Sequence, residues 1–238
     1  MSLLRQAFLL ARTDLRQELR DFEMAVTAVF FTFTVLIMFV LAFATLRPDA
    51  QSHAIPAFLW ITVALTGALT LGRVFDRERE TDALSALLVA PVERLAIYAA
   101  KLLTTMSVLL MCCIVVVPGL VVVFAGARPL LDRWPASLVL VFLGCLGYAG
   151  VGTLFAGGLA RGRGKNVLLS LILYPLTMPV LLYALVATQR LLENHPDLWQ
   201  TLLQMAALDV LLVVVAALLF ESLMLESRRY SVPRKEVS

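Results

Sequence analysis

The sequence predicts an all-α membrane protein in which six helices cross the bilayer. Of its 238 residues, 61% are hydrophobic and 16% are charged, and the mean hydropathy is +0.89. A soluble domain is about 45–50% apolar and about 25% charged, so this composition indicates a lipid environment. Only helices and closed β-barrels satisfy their backbone hydrogen bonds in lipid. Barrel strands are alternating segments of about 10 residues, whereas the apolar runs of this chain are longer and unbroken.

Six apolar runs are long enough to cross a membrane, for which a helix needs roughly 20 residues. Five of them carry no charged residue, and the sixth carries only Asp209. The runs cover residues 24–46, 54–72, 102–127, 135–160, 166–189 and 198–220. The chain is therefore divided into an N-terminal segment (1–23), a transmembrane domain (24–225) and a basic tail (226–238).

The distribution of Lys and Arg predicts the orientation of these spans. Four of the 20 such residues lie on one side of the predicted membrane, namely Arg47, Arg128, Arg133 and Arg190. The remaining 16 lie in the N-terminal segment, at the second and fourth connections, and in the tail. Cytoplasmic connections carry an excess of Lys and Arg, so both termini are predicted to be cytoplasmic.

The N-terminal segment, residues 1–23, has the pattern of an amphipathic helix. Its apolar residues recur at steps of three and four, whereas Arg5, Arg12 and Arg16 occupy other faces. The apolar positions are Leu4, Phe8, Ala11, Leu15, Leu19 and Phe22. Such a helix lies in the membrane interface. It is either a plain anchor or an element with a mechanical role.

The second connection predicts a short amphipathic helix over about 76–91. Alternating acidic and basic residues come first. Three leucines at positions i, i+3 and i+4 then form an apolar stripe, and a proline ends the predicted helix. A cytoplasmic helix of this kind can dock in a groove of a partner protein. The alternative is a solvated loop whose stripe lies on lipid. The candidate docking residues are Glu78, Arg79, Glu80, Leu84, Leu87, Leu88 and Pro91.

The fourth span carries small residues at a spacing of four, at Ala149, Thr153 and Gly157. Small residues at this spacing let another helix approach closely. The approaching helix belongs either to the same chain or to a second copy.

The fifth span contains two prolines four residues apart, Pro175 and Pro179, directly after Tyr174. Each proline removes a backbone donor and bends the helix. The predicted bend is either a hinge or a fixed kink.

Asp209 lies near the middle of the sixth span. An acid at this depth is costly, so it is a candidate functional residue. The alternative is an acid that faces the bundle, neutral or hydrogen-bonded, and only fixes packing.

The sequence carries no catalytic or metal-binding motif. Residues 158–166 are similar to a phosphate loop, but Leu159 and Asn166 replace the required Gly and Ser or Thr. HExxH, GxSxG and paired catalytic carboxylates are absent. His53 and His195 are too far apart for a metal cluster by spacing. We therefore predict a non-catalytic chain without a metal. The sequence has no basic patch interleaved with aromatic residues, so nucleic acid is not an expected partner.

The order of these parts resembles an ABC-2-type exporter permease and, more narrowly, the haem exporter protein B family, CcmB. The resemblance rests on residues 73–80 (RVFDRERE), 84–92, 98–101 and above all 168–181 (LLSLILYPLTMPVL). It covers about residues 1–225. Thr81-Asp82-Ala83 departs from the family, which usually has Gly followed by Ser or Thr there. The start of the docking helix is therefore expected to differ slightly.

The resemblance implies a place in the cytochrome c maturation system of the bacterial inner membrane. Two copies of the chain would pair with two copies of the ATPase CcmA, together with CcmC and CcmD. ATP-Mg would be bound by the ATPase, and its hydrolysis would release the haem-loaded chaperone CcmE. Residues 81–90 would receive the ATPase stroke. Haem would be handled by the complex, and this chain itself is assigned no cofactor.

Other functions fit parts of the sequence. An ABC-2 permease for another amphipathic substrate and an assembly scaffold without transport share the same features. An ion-coupled secondary transporter usually has several intramembrane charges and repeats, whereas this chain has one acid and no clear repeat. A membrane-embedded enzyme would need a nucleophile–base pair or metal ligands in a span, and none is visible.

Overall fold

A computed structural model describes the backbone of residues 23–43, 48–80, 94–159 and 166–230, and of residues 6, 9–10 and 12–13. Side-chain surroundings are described for residues 26–43, 53–72, 95–154 and 175–220 and for the same N-terminal residues. In these ranges the chain forms seven α-helices and a 3₁₀ turn, Ala125–Ala127. The helices are α1 (Glu23–Phe43), α2 (Pro48–Glu80), α3 (Arg94–Val123), α4 (Pro129–Asp132), α5 (Trp134–Leu159), α6 (Asn166–Leu192) and α7 (Leu198–Tyr230).

Six of these helices are long and apolar enough to cross a membrane, which confirms the predicted number of spans. The apolar segments are Val26–Phe43, His53–Gly72, Leu95–Val123, Trp134–Leu154, Pro175–Leu192 and Leu198–Phe220. The protein is thus an all-α membrane protein. Most of the interfacial helix predicted for 1–23 lies outside the described residues, as does the tail after Tyr230.

The third span differs at both ends from its predicted bounds, 102–127. α3 begins at Arg94 and buries Lys101, a charged residue that the hydropathy criterion leaves outside the span. It ends at Val123 because the backbone of Phe124 is extended, with φ −111° and ψ 112°. Hydropathy does not show this end, since the residues after it are also apolar or small.

α5 is the central helix of the bundle. It packs against α2, α3, α6 and α7, whereas α1 packs on α2 and α3. In the apolar segments of α2 and α5, 67% of the residues are buried, compared with 22% in those of α1 and α7. α1 and α7 therefore present most of their surface outwards.

Polar side chains tie the buried helices together. The hydroxyl of Tyr148 donates a hydrogen bond of 2.8 Å to the carbonyl oxygen of Ala64, which joins α5 to α2. The indole N–H of Trp60 donates to Thr188 Oγ1 at 2.8 Å, which joins α2 to α6. Buried Tyr and Trp usually find such a partner for their polar atom. These bonds fix how α2 is rotated against its neighbours.

Glycines let large side chains lie directly on a neighbouring helix backbone. A Cβ atom at Gly144 of α5 would overlap the indole of Trp60. A Cβ atom at Gly67 of α2 would overlap the ring of Tyr148. In lipid, helices associate mainly through close packing of this kind. The two aromatic residues that make the hydrogen bonds thus also need the two glycines.

The contact between Gly144 and Trp60 gives a prediction for stability. We expect Gly144→Ala to lower the free energy of unfolding by about 1–3 kcal/mol, the usual cost of overpacking. Thermal unfolding in detergent measures the change as a lower Tm. Gly72→Ala is the matched control, because nothing lies within 4 Å of a Cβ atom there. Equal shifts in the two variants would contradict the prediction.

Candidate functional site

The acidic and basic residues 76–80 of the second connection belong to α2. The helix continues through Glu80, so Glu78 and Arg79 lie in its last turn and do not begin a separate helix. Arg and Glu are good helix formers, which accounts for the continuation beyond the apolar segment. The rest of the predicted docking segment, Leu84, Leu87, Leu88 and Pro91, lies outside the described residues.

Asp209 lies inside the bundle at the middle of the apolar segment of α7. Its side chain is fully buried, with 0% of its surface exposed. It is packed so closely on α5 that a Cβ atom at Gly147 would overlap its Oδ1 atom. The same Cβ atom would lie 2.8 Å from Val180 of α6. Asp209 therefore sits in a mostly apolar position where α5, α6 and α7 meet.

Neither carboxylate oxygen of Asp209 has a hydrogen-bond partner among the described residues. A buried acid is usually hydrogen-bonded, and burying an unpaired charge costs several kcal/mol. An acid that only fixes packing would be hydrogen-bonded, for example to a Tyr or Thr. No such hydrogen bond is present in the described part of the bundle. Asp209 stays a candidate functional residue on physical grounds.

The small-residue stripe of the fourth span faces the interior of this chain over its described part. Ala149 and Thr153 of α5 are both fully buried. The surroundings of Gly157 lie outside the described part of the chain. Thr153 Oγ1 has no hydrogen-bond partner in the described part of the chain. Packing within the chain accounts for the first two positions, and a role of the stripe in self-association stays a prediction.

The two prolines of the fifth span lie inside one continuous helix, α6. Pro175 and Pro179 are both exposed, whereas Thr177 between them is buried. A spacing of four places the prolines on one helix face, and this face is turned away from the core. The surroundings of Tyr174 lie outside the described residues. Whether the bend at this face moves stays a prediction.

Two cysteines from different helices meet in the core, which the sequence did not indicate. Cys113 Sγ of α3 lies 3.8 Å from Cys145 Sγ of α5, and both thiols are free. They are 32 residues apart in the chain, so no CxxC motif predicts their contact. Within the described ranges, no group of three or more His, Cys, Asp or Glu residues is placed to hold a metal ion.

These features define a multi-pass helical membrane protein built around a glycine-lined central helix. The sequence pattern of the family described as CcmB protein matches residues 5–224, and the chain belongs to this family. The chain is also similar to the heme exporter protein B of Bradyrhizobium diazoefficiens. The two sequences are 29% identical over 216 residues, which cover 87% of this chain and 91% of the relative. The predicted family resemblance is confirmed.

The unpaired state of Asp209 gives a second prediction. We expect Asp209→Asn to leave the Tm unchanged or to raise it, because no described group donates a hydrogen bond to the carboxylate. Thr188→Val is the contrasting variant, since it removes the oxygen that accepts the indole N–H of Trp60. It should cost about 1–3 kcal/mol, the penalty for an unsatisfied buried donor.

Thermal unfolding of both variants in the same detergent measures this difference. A large loss of stability in Asp209→Asn would contradict the prediction, because it would mean that the carboxylate has a stabilising partner.

Proposed function

We propose that this chain is the membrane-spanning permease subunit of an ABC-type haem export complex that serves cytochrome c maturation. The observation that carries the proposal is the match to the CcmB family over residues 5–224. The relative named heme exporter protein B, which aligns over 91% of its length, supports the same function. The six-span architecture provides the membrane body that such a subunit needs.

In this proposal, ATP is hydrolysed by a separate subunit, and this chain is not an enzyme. The stretch most similar to a phosphate loop, 158–166, has Leu159 and Asn166 where Gly and Ser or Thr are required. The energy of hydrolysis must then reach the spans through a protein–protein contact. The resemblance assigns that contact to the connection between α2 and α3.

The helix ends support a docking surface on the side where α2 and α7 end. α2 continues from the end of its apolar segment at Gly72 to Glu80, which is about 12 Å at the helical rise. α7 continues from Phe220 to Tyr230, or about 15 Å. These two spans run in the same direction, since three spans lie between the second and the sixth. Both extensions therefore leave the bilayer on the same side. The excess of Lys and Arg on that side predicts that it is cytoplasmic.

The partners follow from the family resemblance. Two copies of this chain would join two copies of the ATPase CcmA, with CcmC and CcmD in the same inner-membrane complex. Haem-loaded CcmE would be the species that the complex releases. Both termini would be cytoplasmic, which places the connection 81–93 within reach of the ATPase.

The docking claim gives a third prediction. We expect Leu84→Asp with Leu88→Asp to abolish co-purification of the ATPase with the tagged chain, because two carboxylates in an apolar groove cost several kcal/mol. Leu131→Asp is the matched control: Leu131 is 49% exposed and lies in α4, at the opposite end of α3 from this connection. The measurement is the ATPase recovered per tagged chain from detergent-solubilised membranes. Equal recovery from the double variant and the wild type would overturn the docking claim.

The function as a whole is tested by cytochrome c maturation in a strain that lacks this chain. We expect holocytochrome c to fall to background, the wild-type chain to restore it, and the Leu84→Asp, Leu88→Asp variant to fail. Haem-stained gels and reduced difference spectra of membranes measure holocytochrome c. Normal levels in the deletion strain would sink the proposal. Normal levels in a strain without the ATPase would favour the scaffold alternative.

A further inference from the structure

A cleft opens at the end of the bundle opposite the α2–α3 connection. It lies between the start of α5 and the turn from α6 to α7, and its volume is about 400 Å³. Arg133 and Pro135 line one wall, and His195, Pro196 and Trp199 line the other. Cavities of about 300–1,000 Å³ are typical of small-ligand sites. The lining residues stand at the ends of three apolar segments, so the cleft is at the depth of the lipid headgroups.

Arg133 supplies an unengaged positive charge to this cleft. One terminal nitrogen of its guanidinium group is shielded from solvent and has no hydrogen-bond partner among the described residues. The neighbouring Arg190, in contrast, donates to Thr201 Oγ1 and to the carbonyl oxygen of Asp197. A guanidinium group has five donors and no acceptor. The shielded nitrogen is closed to an incoming molecule, so an anion in the cleft would contact the part of the Arg133 side chain that lines it.

The acidic side chains on the α6–α7 turn, Glu193 and Asp197, do not line the cleft. Glu193 Oε1 accepts a hydrogen bond of 2.9 Å from Gln189 Nε2. The carboxylate of Asp197 lies 3.7 Å from the Nδ1 atom of His195. Neither contact involves Arg133. The cleft therefore keeps the positive charge of Arg133 available to an anion.

His195 is held in place with one nitrogen available. Its Nδ1 atom accepts a hydrogen bond of 3.2 Å from the backbone N–H of Asp197. In the neutral ring the proton is then on Nε2, which is a donor. Asn194 makes this turn possible with a positive φ of 57°, a conformation that Asn tolerates better than most residues. The turn thus presents a second donor on the wall opposite Arg133.

Trp199 gives the cleft an apolar edge beside these donors. Its side chain is 58% exposed. Exposed Trp residues at the ends of spans lie among lipid headgroups, where their rings contact both glycerol and acyl carbons. An occupant with an anionic oxygen group and an apolar body matches this combination.

We propose that the cleft binds the phosphate group of an anionic phospholipid. Arg133 makes charge-assisted hydrogen bonds to the phosphate oxygens, His195 Nε2 donates a further one, and Trp199 packs on the glycerol and upper acyl carbons. Lipid is the favoured source because the cleft opens at the headgroup level. Free phosphate offers the same anionic oxygen atoms, and the test below distinguishes it from a lipid.

The test uses the full chain with the substitution Trp134→Phe, so that Trp199 is the main exposed reporter among three tryptophans. The protein is placed in bilayers of brominated phosphatidylcholine, which quenches its fluorescence. Non-brominated phosphatidylglycerol is then added in steps. Relief of quenching measures how well each lipid displaces the brominated one. We expect an affinity for phosphatidylglycerol about tenfold above that for non-brominated phosphatidylcholine, as one charge-assisted contact provides. Arg133→Gln should remove this preference.

Arg128→Gln is the matched control, because Arg128 is exposed on the same connection and does not line the cleft. Equal competition by the two lipids, or equal effects of the two Arg variants, would overturn the proposal. Inorganic phosphate at constant ionic strength is the second arm: reversal of the relief would assign free phosphate, and no reversal assigns the lipid. His195→Gln is the second variant in case Arg133→Gln does not fold, and an unchanged preference there would count against the site.

Discussion

The close approach of large side chains to the backbone of α5 is the constraint on which the bundle depends. Lipid tails are as apolar as the helices, so helix association relies on packing and hydrogen bonds more than on the hydrophobic effect. Gly144 and Gly152 leave room for Trp60 and Leu71 of α2. Without these glycines α2 would have to move away from α5. The hydrogen bond from Tyr148 to α2 would then lengthen.

The same closeness explains the polar groups in the core. The hydroxyl of Tyr98 on α3 reaches the carbonyl oxygen of Gly150 at 2.9 Å, which is a further tie to α5. Thr32 Oγ1 of α1 lies 3.2 Å from Thr66 Oγ1 of α2. Each bond satisfies a group that lipid would leave unpaired. Asp209 is packed as closely but without a described partner, which separates it from these structural contacts.

The two ends of the bundle are built differently, and this difference underlies both proposals. At one end, α2 and α7 continue beyond their apolar segments and carry charged residues out of the membrane. At the other end, α3 and α6 stop with their apolar segments, and short turns lead into α5 and α7. Long helical extensions suit a contact with a large soluble partner. Short turns at headgroup level form a shallow cleft that suits a lipid-sized occupant.

The sequence by itself determined the number of spans, the central depth of Asp209 and the family. These properties are local: hydropathy adds up along one segment, and the LLSLILYPLTMPVL stretch is contiguous. It misjudged where α3 begins and ends. Lys101 is charged and yet buried within the helix, and the extended backbone at Phe124 leaves the hydropathy unchanged.

Only the tertiary structure decided which residues are neighbours. It placed Trp60 on Gly144, brought Cys113 to Cys145 and packed Asp209 on α5. Such pairs join helices that are far apart in sequence. They depend on the rotation and depth of each helix in the bundle, which follow from how side chains of all the helices interlock. The apolar pattern of one span does not contain that information, because nearly every face of it is apolar.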